Sequence, residues 1–346
     1  MDFYKITRAP RCLVLAITAL LIGFSASADE LLMKDGSRLI GTVVKQDGGS
    51  TIDFKTTYAG VIKVKWAEVD QVLTDEPMSL LLSNGETRSV VSAQNVEQGI
   101  ATIAASGTAE TFSLEEVAYV NPEPWRLGEG WSWAGRISTD LNYERGNSDK
   151  DEYEADFAMT FRWLADRVTL NGDYQREKSD EVLTDDDWRL TSRYDHFVNA
   201  KLFYGGKVGV EHDRFADLKL RTIIGPSVGY EFYEGKAMNL NIAGGPMYVK
   251  ENFYTADDDE HVAFGWQFNV DRYLIPERVQ FYHRHSGLLD ASDTGNLVWD
   301  SWTGLRFPIY AGIVASTEIQ IEYDGDTPED VDDTDTTYNI KLGYEW

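Results

Sequence analysis

Residues 336–346 read TTYNIKLGYEW, and apolar and polar side chains alternate along this stretch. Successive side chains of a β-strand point to opposite faces, so the pattern predicts a strand with one apolar and one polar face. The apolar face carries Thr336, Tyr338, Ile340, Leu342, Tyr344 and Trp346. The stretch therefore predicts an amphipathic strand that closes on an aromatic residue.

The same alternation recurs through most of residues 131–335, in segments separated by polar turns. One segment sets Val262, Phe264 and Trp266 on one face against Gln267 and Asn269 on the other. About twelve such segments can be counted, which lies within the range of even-numbered bacterial outer-membrane barrels. The sequence therefore predicts an all-β fold in which residues 131–346 form a transmembrane antiparallel β-barrel of about 12 strands. The closing strand of this chain ends on an aromatic residue and resembles the signal that the assembly machinery of such barrels reads. Tyr344 and Trp346 are therefore the candidate assembly signal.

A soluble sandwich of two sheets also has alternating strands, and three features disfavour it. Trp and Tyr concentrate near the ends of the apolar faces, full charges stand in the middle of the polar faces, and the connections alternate in length. The connections expected to face outward are mostly long and acidic, as in 178–187 and 324–335, and the others are short. This asymmetry is typical of outer-membrane barrels. We expect periplasmic termini, with the lipid bilayer, lipopolysaccharide and the assembly machinery as partners.

The N-terminus has the features of a secretory signal peptide. Lys5, Arg8 and Arg11 precede an apolar run at 13–24, and the small residues 26–28 form a cleavage site. The apolar run is too short to span a bilayer, which takes about 20 residues. Residues 1–28 are therefore predicted to be removed, and Cys12, the one cysteine, with them. A mature chain without cysteine has no disulfide, thiolate metal site or cysteine nucleophile.

Composition limits the classes of protein to which the chain can belong. The formal net charge is −26, and nucleic-acid binding is disfavoured because it requires a basic surface. The mean hydropathy of −0.36 fits a barrel, whose strands expose only alternate residues to lipid. Aromatic residues make up 12% of the chain, enough to supply girdles at both membrane interfaces. No motif indicates a cofactor or a metal ion.

Residues 29–121 contain an internal repeat that predicts a periplasmic β domain. Asp35-Gly36 in the first copy matches Asn84-Gly85 in the second, and such pairs are strong hairpin signals. The copies also share a Glu-Val pair near their ends and resemble small SH3-like or Sm-like β-barrel units. An adaptor or packing role is expected for this domain, through a periplasmic partner, and peptide or peptidoglycan binding is the alternative. Residues 122–130 form a linker in which two prolines resist helix and strand.

Alternate residues of a strand face the same side, and this strand parity assigns one set of charged side chains to the barrel interior. Such charges set the selectivity of a channel, or they pair with one another and plug the barrel. The interior of a 12-stranded barrel is intermediate in width between that of a small barrel, which side chains fill, and that of a large barrel, which is an open pore. Both a narrow channel for ions or small solutes and a non-conducting structural or interaction protein therefore remain open. The lumen candidates are Arg136, Asp156, Arg162, Arg189, Arg193, Lys207, Asp300 and Arg306.

The chain resembles the DUF481 proteins, which include salt-induced outer-membrane proteins of Gram-negative bacteria. The resemblance covers roughly 127–346 and rests on WSWAGRISTDLNYERGNSDKDEYEADF at 131–157 and on the closing NIKLGYEW at 339–346. It implies an outer-membrane location and a link to salt or osmotic stress. It supplies no catalytic residues, and it does not cover the N-terminal repeat.

Two further hypotheses concern lipid hydrolysis and cation binding. A lipid hydrolase would need a serine, a histidine and an orienting group, and His283, His285 and Ser286 are the candidates. Parity places both histidines on the lipid face and Ser286 on the other, which disfavours an enzyme. Acidic loops at 257–260 and 324–335 offer oxygen ligands for cations, but they lack the spacing of a calcium-binding loop. A non-enzymatic outer-membrane barrel is the expectation.

Overall fold

The structure is a computed structural model of the 346-residue chain. It describes residues 28–47, 51–96, 99–113, 116–144, 150–235, 237–325 and 332–346. These residues form strands and two short 3-10 turns, Trp66–Glu68 and Pro124–Leu127. Among them there is no helix with the length and apolar character needed to cross a membrane. The predicted signal peptide lies outside the described residues except for Ala28.

The C-terminal part of the described chain is a closed antiparallel barrel of twelve strands. Each strand pairs with the next, and the last pairs with the first, so the prediction of about 12 strands is confirmed. The strands are β10 (Ser132–Glu144), β11 (Lys150–Arg162), β12 (Asp166–Ser179), β13 (Val182–Phe197), β14 (Leu202–Asp213), β15 (Leu218–Glu234), β16 (Met238–Phe253), β17 (Asp259–Ile275), β18 (Val279–Asp290), β19 (Leu297–Tyr310), β20 (Ile313–Asp324) and β21 (Thr334–Glu345). We call the rim where β10 begins and β21 ends the linker end, and the opposite rim the loop end.

The two faces of the barrel wall differ sharply in polarity. Ile137, Val228 and Ile340 point outward and are 54%, 64% and 75% exposed. Charged side chains on the inner face are buried, including Glu154 and Lys341 at 5% and 4% exposure. Period-two alternation therefore produces an apolar exterior and a charged lumen.

One predicted connection is wrong. Residues 178–187 were expected to form a long acidic loop, whereas β12 continues to Ser179 and β13 starts at Val182. The turn consists of Asp180 and Glu181, both with positive φ (50° and 65°). Two consecutive positive φ values are those of a type I′ hairpin turn, which matches the twist of the flanking strands. The acidic residues that follow belong to β13.

The seam that closes the barrel is short. Register pairs between β10 and β21 run only from Arg136–Glu345 to Thr139–Leu342. Beyond them, the Asp140 carboxylate accepts a hydrogen bond from the Ile340 amide at 3.4 Å. Residue 346 adds two backbone hydrogen bonds with Gly135, of 3.3 and 3.1 Å. The C-terminal residue is therefore part of the closure.

The Trp346 ring lies directly over Gly135. A Cβ built on Gly135 would stand 2.4 Å from the ring, so only glycine fits there. The ring centroid is 5.6 Å from that of Trp133 and 6.1 Å from that of Tyr344. Trp346 thus joins the first and last strands through both its backbone and its ring.

Replacing Trp346 with alanine is expected to lower the free energy of unfolding by about 1 kcal/mol, because aromatic contacts across the seam are lost. Urea unfolding of the refolded barrel in lipid vesicles, followed by fluorescence, measures the change. Tyr338→Ala is the matched control, since Tyr338 is an outward aromatic of β21 that is 75% exposed. Equal effects of the two substitutions would contradict a role of Trp346 in closure.

The described residues before the linker form one nine-stranded sheet. It packs around a single core cluster that includes Leu31, Phe54 and Leu80, each at most 2% exposed. The strands are β1 (Asp29–Met33), β2 (Arg38–Asp47), β3 (Thr51–Thr56), β4 (Gly60–Lys65), β5 (Val69–Leu82), β6 (Thr87–Val96), β7 (Gly99–Ala104), β8 (Ala109–Phe112) and β9 (Val117–Val120).

The two sequence repeats have the same turn in the structure. Gly36 and Gly85 each have a φ of 87°. The side chain before each glycine, Asp35 or Asn84, accepts a hydrogen bond from the amide two residues on, at 2.8 and 2.9 Å. The long β5 ends the first repeat and begins the second, and β9 pairs with both β2 and β5. The repeats are therefore joined in one sheet and share a core.

Candidate functional site: the charged lumen

A central cavity of about 490 Å³ runs along the barrel interior. Glu234 and Arg306 line it near the linker end, and Asp187 and Val298 line it towards the loop end. Its wall therefore draws on most of the length of the barrel. Groups of ion pairs, contributed by inward-facing positions of different strands, narrow it at several levels.

The first group, which we call the seam cluster, consists of Lys341, Glu154, Asp156, Glu318 and Arg136. The Lys341 ammonium donates hydrogen bonds to Glu154, to Asp156 at 3.2 Å and to Glu318 at 2.7 Å. Arg136 in turn bonds to Asp156 at 3.1 Å. Lys341 lies on β21 and both of its β11 partners lie beyond β10, so the cluster ties the wall together across the short seam from inside.

A second group, the cross-lumen pair Arg189–Asp300, spans the barrel. Arg189 on β13 donates to Asp300 on β19 at 2.9 Å, and it also contacts Glu211 at 3.2 Å. Strands β13 and β19 are six apart among the twelve of the described barrel, so the pair joins opposite walls. An ion pair across the diameter restricts the passage.

A third group closes the linker end of the cavity. Arg162 forms two hydrogen bonds with Glu234, of 2.8 and 3.2 Å, from β11 to the end of β15. Arg167 bonds to Asp195 at 2.9 Å and to Glu231 at 2.5 Å. All five side chains come from strand positions beside the linker-end turns. This end of the lumen is therefore crossed by two arginine–carboxylate bridges.

Trp125 of the linker lies beneath these bridges. It is 6% exposed, and the Arg162 guanidinium lies over its ring at 4.9 Å, with Arg126 over it at 4.2 Å. The Trp125 indole donates to Glu123 at 2.8 Å. Burial raises the pKa of Glu123, but this bond and one from Lys45 outweigh it and hold the pKa below its ordinary value. The linker is thus anchored to the N-terminal sheet on one side and to the barrel mouth on the other.

Two further contacts join the N-terminal sheet to the linker end of the barrel. The Tyr119 hydroxyl donates to the Glu234 carbonyl at 3.4 Å. Lys63 forms an ion pair with Glu277 of the β17–β18 turn at 2.7 Å. The hydrogen bond to Glu277 raises the pKa of Lys63. The sheet therefore touches the rim at more than one point.

The lumen wall formed by β15 to β18 is partly apolar. Ile223, Met247, Val249 and Ala263 form a buried cluster with Leu288 packed against it. Lys207 and Arg193 are paired in register on the neighbouring strands β13 and β14. The interior thus combines an apolar patch with cationic side chains.

The eight predicted lumen candidates, all within the described residues, fall into two places. Arg162 lies at the linker end, outside the cavity wall. The other seven, which line the cavity, are Arg136, Asp156, Arg189, Arg193, Lys207, Asp300 and Arg306. Arg306 contacts Asp271 at 2.9 Å.

Sequence reasoning missed several members of these groups. Arg167 and Glu231 have the parity of the chosen candidates, so the same rule would have found them. Trp125 carried no signal beyond its place in a proline-rich linker. Its position under the barrel is a tertiary contact that no local pattern reports.

The residues of the other two hypotheses lie on β18 and at the loop end. The centroids of the His283 and His285 rings are 6.3 Å apart, and His283 contacts the Thr303 hydroxyl at 2.7 Å. His285 and Ser286 both line the cavity. In the predicted cation loop at 257–260, Glu260 pairs with Lys250 at 2.5 Å. Among the described residues, Glu251, Asp259 and His261 form the one group spaced to hold a metal ion, and Glu251 is already paired with Arg221 at 2.5 Å.

Comparison with known proteins gives a family match and distant structural likenesses. The model of the family described as "Protein of unknown function, DUF481" matches residues 140–346. No curated protein matches the chain.

Three solved structures align with this chain along much of its backbone. The NanC porin is 12% identical over 62% of this chain and 99% of that chain, with a TM-score of 0.38. The CymD monoaromatic hydrocarbon channel is 8% identical over 64% and 90%, with a TM-score of 0.29. The outer membrane channel DcaP of Acinetobacter baumannii is 12% identical over 92% and 94%, with a TM-score of 0.29. All three scores lie below 0.5, and the closed barrel is evident from the strand pairing of this chain itself.

Proposed function

The chain belongs to the DUF481 family, and we propose that it is an outer-membrane β-barrel whose lumen is a narrow channel for ions or small solutes. The apolar exterior supports the membrane location, because exposed side chains such as Ile340 and Val228 are suited to contact with lipid. Closure supports it as well, since a bilayer tolerates no unpaired sheet edge. The N-terminal sheet would then lie in the periplasm beneath the linker end.

The observation that carries the channel is the cavity of about 490 Å³ with a charged wall along the barrel. Charged walls favour ions over neutral solutes and set the sign of the preferred ion. Potassium flux from vesicles that contain the refolded barrel tests the proposal. Flux above that of empty vesicles supports a channel, and flux equal to theirs contradicts it.

The alternative is a non-conducting barrel with a structural or interaction role. The Arg189–Asp300 pair across the lumen favours it, together with the bridges above Trp125. Buried charges are stable when they are paired, so a filled lumen needs no transported solute. A link to salt or osmotic stress is a separate proposal, tested by transcript levels after a rise in external sodium chloride.

Replacing Arg189 with alanine is expected to make the channel wider and more cation-selective. It leaves Asp300 without its arginine and Glu211 with Arg221 alone, and a change of about 1 kcal/mol in the local potential shifts the permeability ratio about fivefold. The reversal potential in a potassium chloride gradient measures the ratio. Arg272→Ala, on an exposed outward-facing residue of β17, is the matched control. An unchanged ratio in the Arg189 variant would show that this pair does not border the ion path.

A further inference from the structure

One inner row of the barrel wall has almost no side chains. Gly205 pairs with Ser227, and Gly245 pairs with Gly265, at inward positions of β14 to β17. The row leaves a niche of about 20 Å³ beside the main cavity, bordered by Met247 and Leu288 of the apolar patch. A Cβ on Gly265 would stand 2.8 Å from the Met247 side chain, so the space that Met247 occupies depends on glycine at position 265.

A buried hydroxyl without a partner points into this niche. Ser227 is 6% exposed and lines the niche, and its Oγ forms no hydrogen bond within the described part of the chain. A buried polar group left unsatisfied costs free energy, which a ligand can recover. An unpaired hydroxyl in a row of glycines therefore indicates a place for a polar ligand atom.

Lys207 borders the same niche and has no counter-ion in contact. The nearby carboxylates are engaged elsewhere: Arg189 holds Asp300 and Glu211, at 2.9 and 3.2 Å. Among the described residues no carboxylate lies within 4.0 Å of the Lys207 ammonium. Its charge is therefore available to an anion in the lumen.

Gln267 supplies a further donor. Its Oε1 accepts a hydrogen bond from Arg193 at 3.1 Å, which orients the side-chain amide, and Gln267 lines the niche, so its amide nitrogen is the group with hydrogen atoms to donate. The niche thus combines one ammonium, one hydroxyl and one amide with an apolar wall of Met247 and Leu288.

We propose that the lumen beside this niche binds a small monocarboxylate with an apolar tail, an inference that rests on the proposed channel function and names its solute class. The niche itself has room for about one water-sized group, so one carboxylate oxygen enters it and meets Lys207, Ser227 and Gln267. The tail lies in the main cavity of about 490 Å³ against Leu288, which lines both spaces. One unpaired cation matches one negative charge, and the apolar wall disfavours strongly hydrated dianions. A cavity of this volume, apolar in part and with a few placed polar groups, is typical of small-molecule sites.

Isothermal titration calorimetry of the refolded full chain in detergent tests the proposal with benzoate as the probe. Benzylammonium has the same ring with the opposite charge, and acetate has the charge without the ring. We expect benzoate to bind, acetate to bind more weakly and benzylammonium not to bind. Lys207→Met should lower the affinity for benzoate about tenfold or more, because a charge-assisted hydrogen bond is lost.

Lys201→Met is the matched control, since Lys201 is exposed in the turn between β13 and β14, and it should bind benzoate like the wild type. Ser227→Val fills the niche while the Lys207 charge stays, and it should also weaken binding. Benzoate that binds the wild type and the Lys207 variant equally would overturn the proposal, as would a folded wild type that does not bind. Calorimetry needs no ion current, so benzoate binding by a barrel without flux would reject the channel and keep the site.

Discussion

Replacing Lys341 with methionine is expected to destabilise the barrel by about 3–5 kcal/mol, the usual cost of breaking a buried ion pair by removing one partner. Lys341 is 4% exposed and bonds to Glu154, Asp156 and Glu318. Without its ammonium, the cations that the described residues still place in contact with these carboxylates are Arg136, at Asp156, and Arg284, at Glu318. Methionine keeps an unbranched side chain one heavy atom shorter than that of lysine, so the main change is the loss of the charge.

The effect should be large because Lys341 lies at the seam, where the fewest backbone register pairs join neighbouring strands of the barrel. Register pairing between β10 and β21 stops at Thr139–Leu342, and Lys341 reaches past β10 to β11. Loss of the ammonium therefore weakens the wall at its shortest ladder. Urea unfolding of the refolded barrel in vesicles measures the loss, with the gel-mobility difference between folded and unfolded barrel as the check on folding.

Lys250→Met is the matched control for Lys341. Lys250 pairs with Glu260 on the exposed surface near the loop end, where an ion pair adds little to stability. The double variant Lys341→Met with Glu154→Gln should recover part of the loss, because it removes one of the stranded charges. An unfolding midpoint for Lys341→Met equal to that of Lys250→Met would contradict the role of the seam cluster.

Replacing Trp125 with alanine is expected to open the linker end of the channel. The guanidinium groups of Arg126 and Arg162 lie over the ring, at 4.2 and 4.9 Å from its centroid. Loss of two cation–π contacts, worth about 0.5–1 kcal/mol each, shifts the balance between closed and open mouths about tenfold. The open-time fraction in planar-bilayer recordings measures the shift.

Trp131→Ala is the control for this experiment. Trp131 is a nearby tryptophan on the outer face, 53% exposed, and its ring packs on Phe161 and Trp163. Its loss should leave the open-time fraction unchanged. If Trp125→Ala also leaves that fraction unchanged, the linker does not close the mouth, and the Arg162–Glu234 bridge alone restricts it.

The strands and their faces could be predicted because each depends on local alternation. The closing strand shows this: Tyr338 and Ile340 point outward at 75% exposure, and Lys341 points inward at 4%. Parity thus identifies which side chains face the lumen. The repeat in 29–121 was equally visible, since its glycine turns recur in sequence and in structure.

The partners inside the lumen could not be predicted, because parity fixes the face of a side chain and not its height or position around the barrel. Arg189 and Asp300 are 111 residues apart, and they meet because their strands lie six positions apart around the twelve-stranded wall. The turn at Asp180-Glu181 was missed for a different reason. A run of acidic residues predicts a loop, whereas here Asp180 and Glu181 adopt the positive φ values of a tight hairpin turn.

The measurement that tests the channel most directly is single-channel conductance of the refolded chain, without its predicted signal peptide, in a planar bilayer under a salt gradient. Discrete, reproducible current steps are the predicted result, with a reversal potential that shifts in the Arg189 variant. A barrel that is folded by gel mobility and inserted in the bilayer, yet gives no steps even with Trp125→Ala, would contradict the channel. It would identify the paired lumen as a structural core.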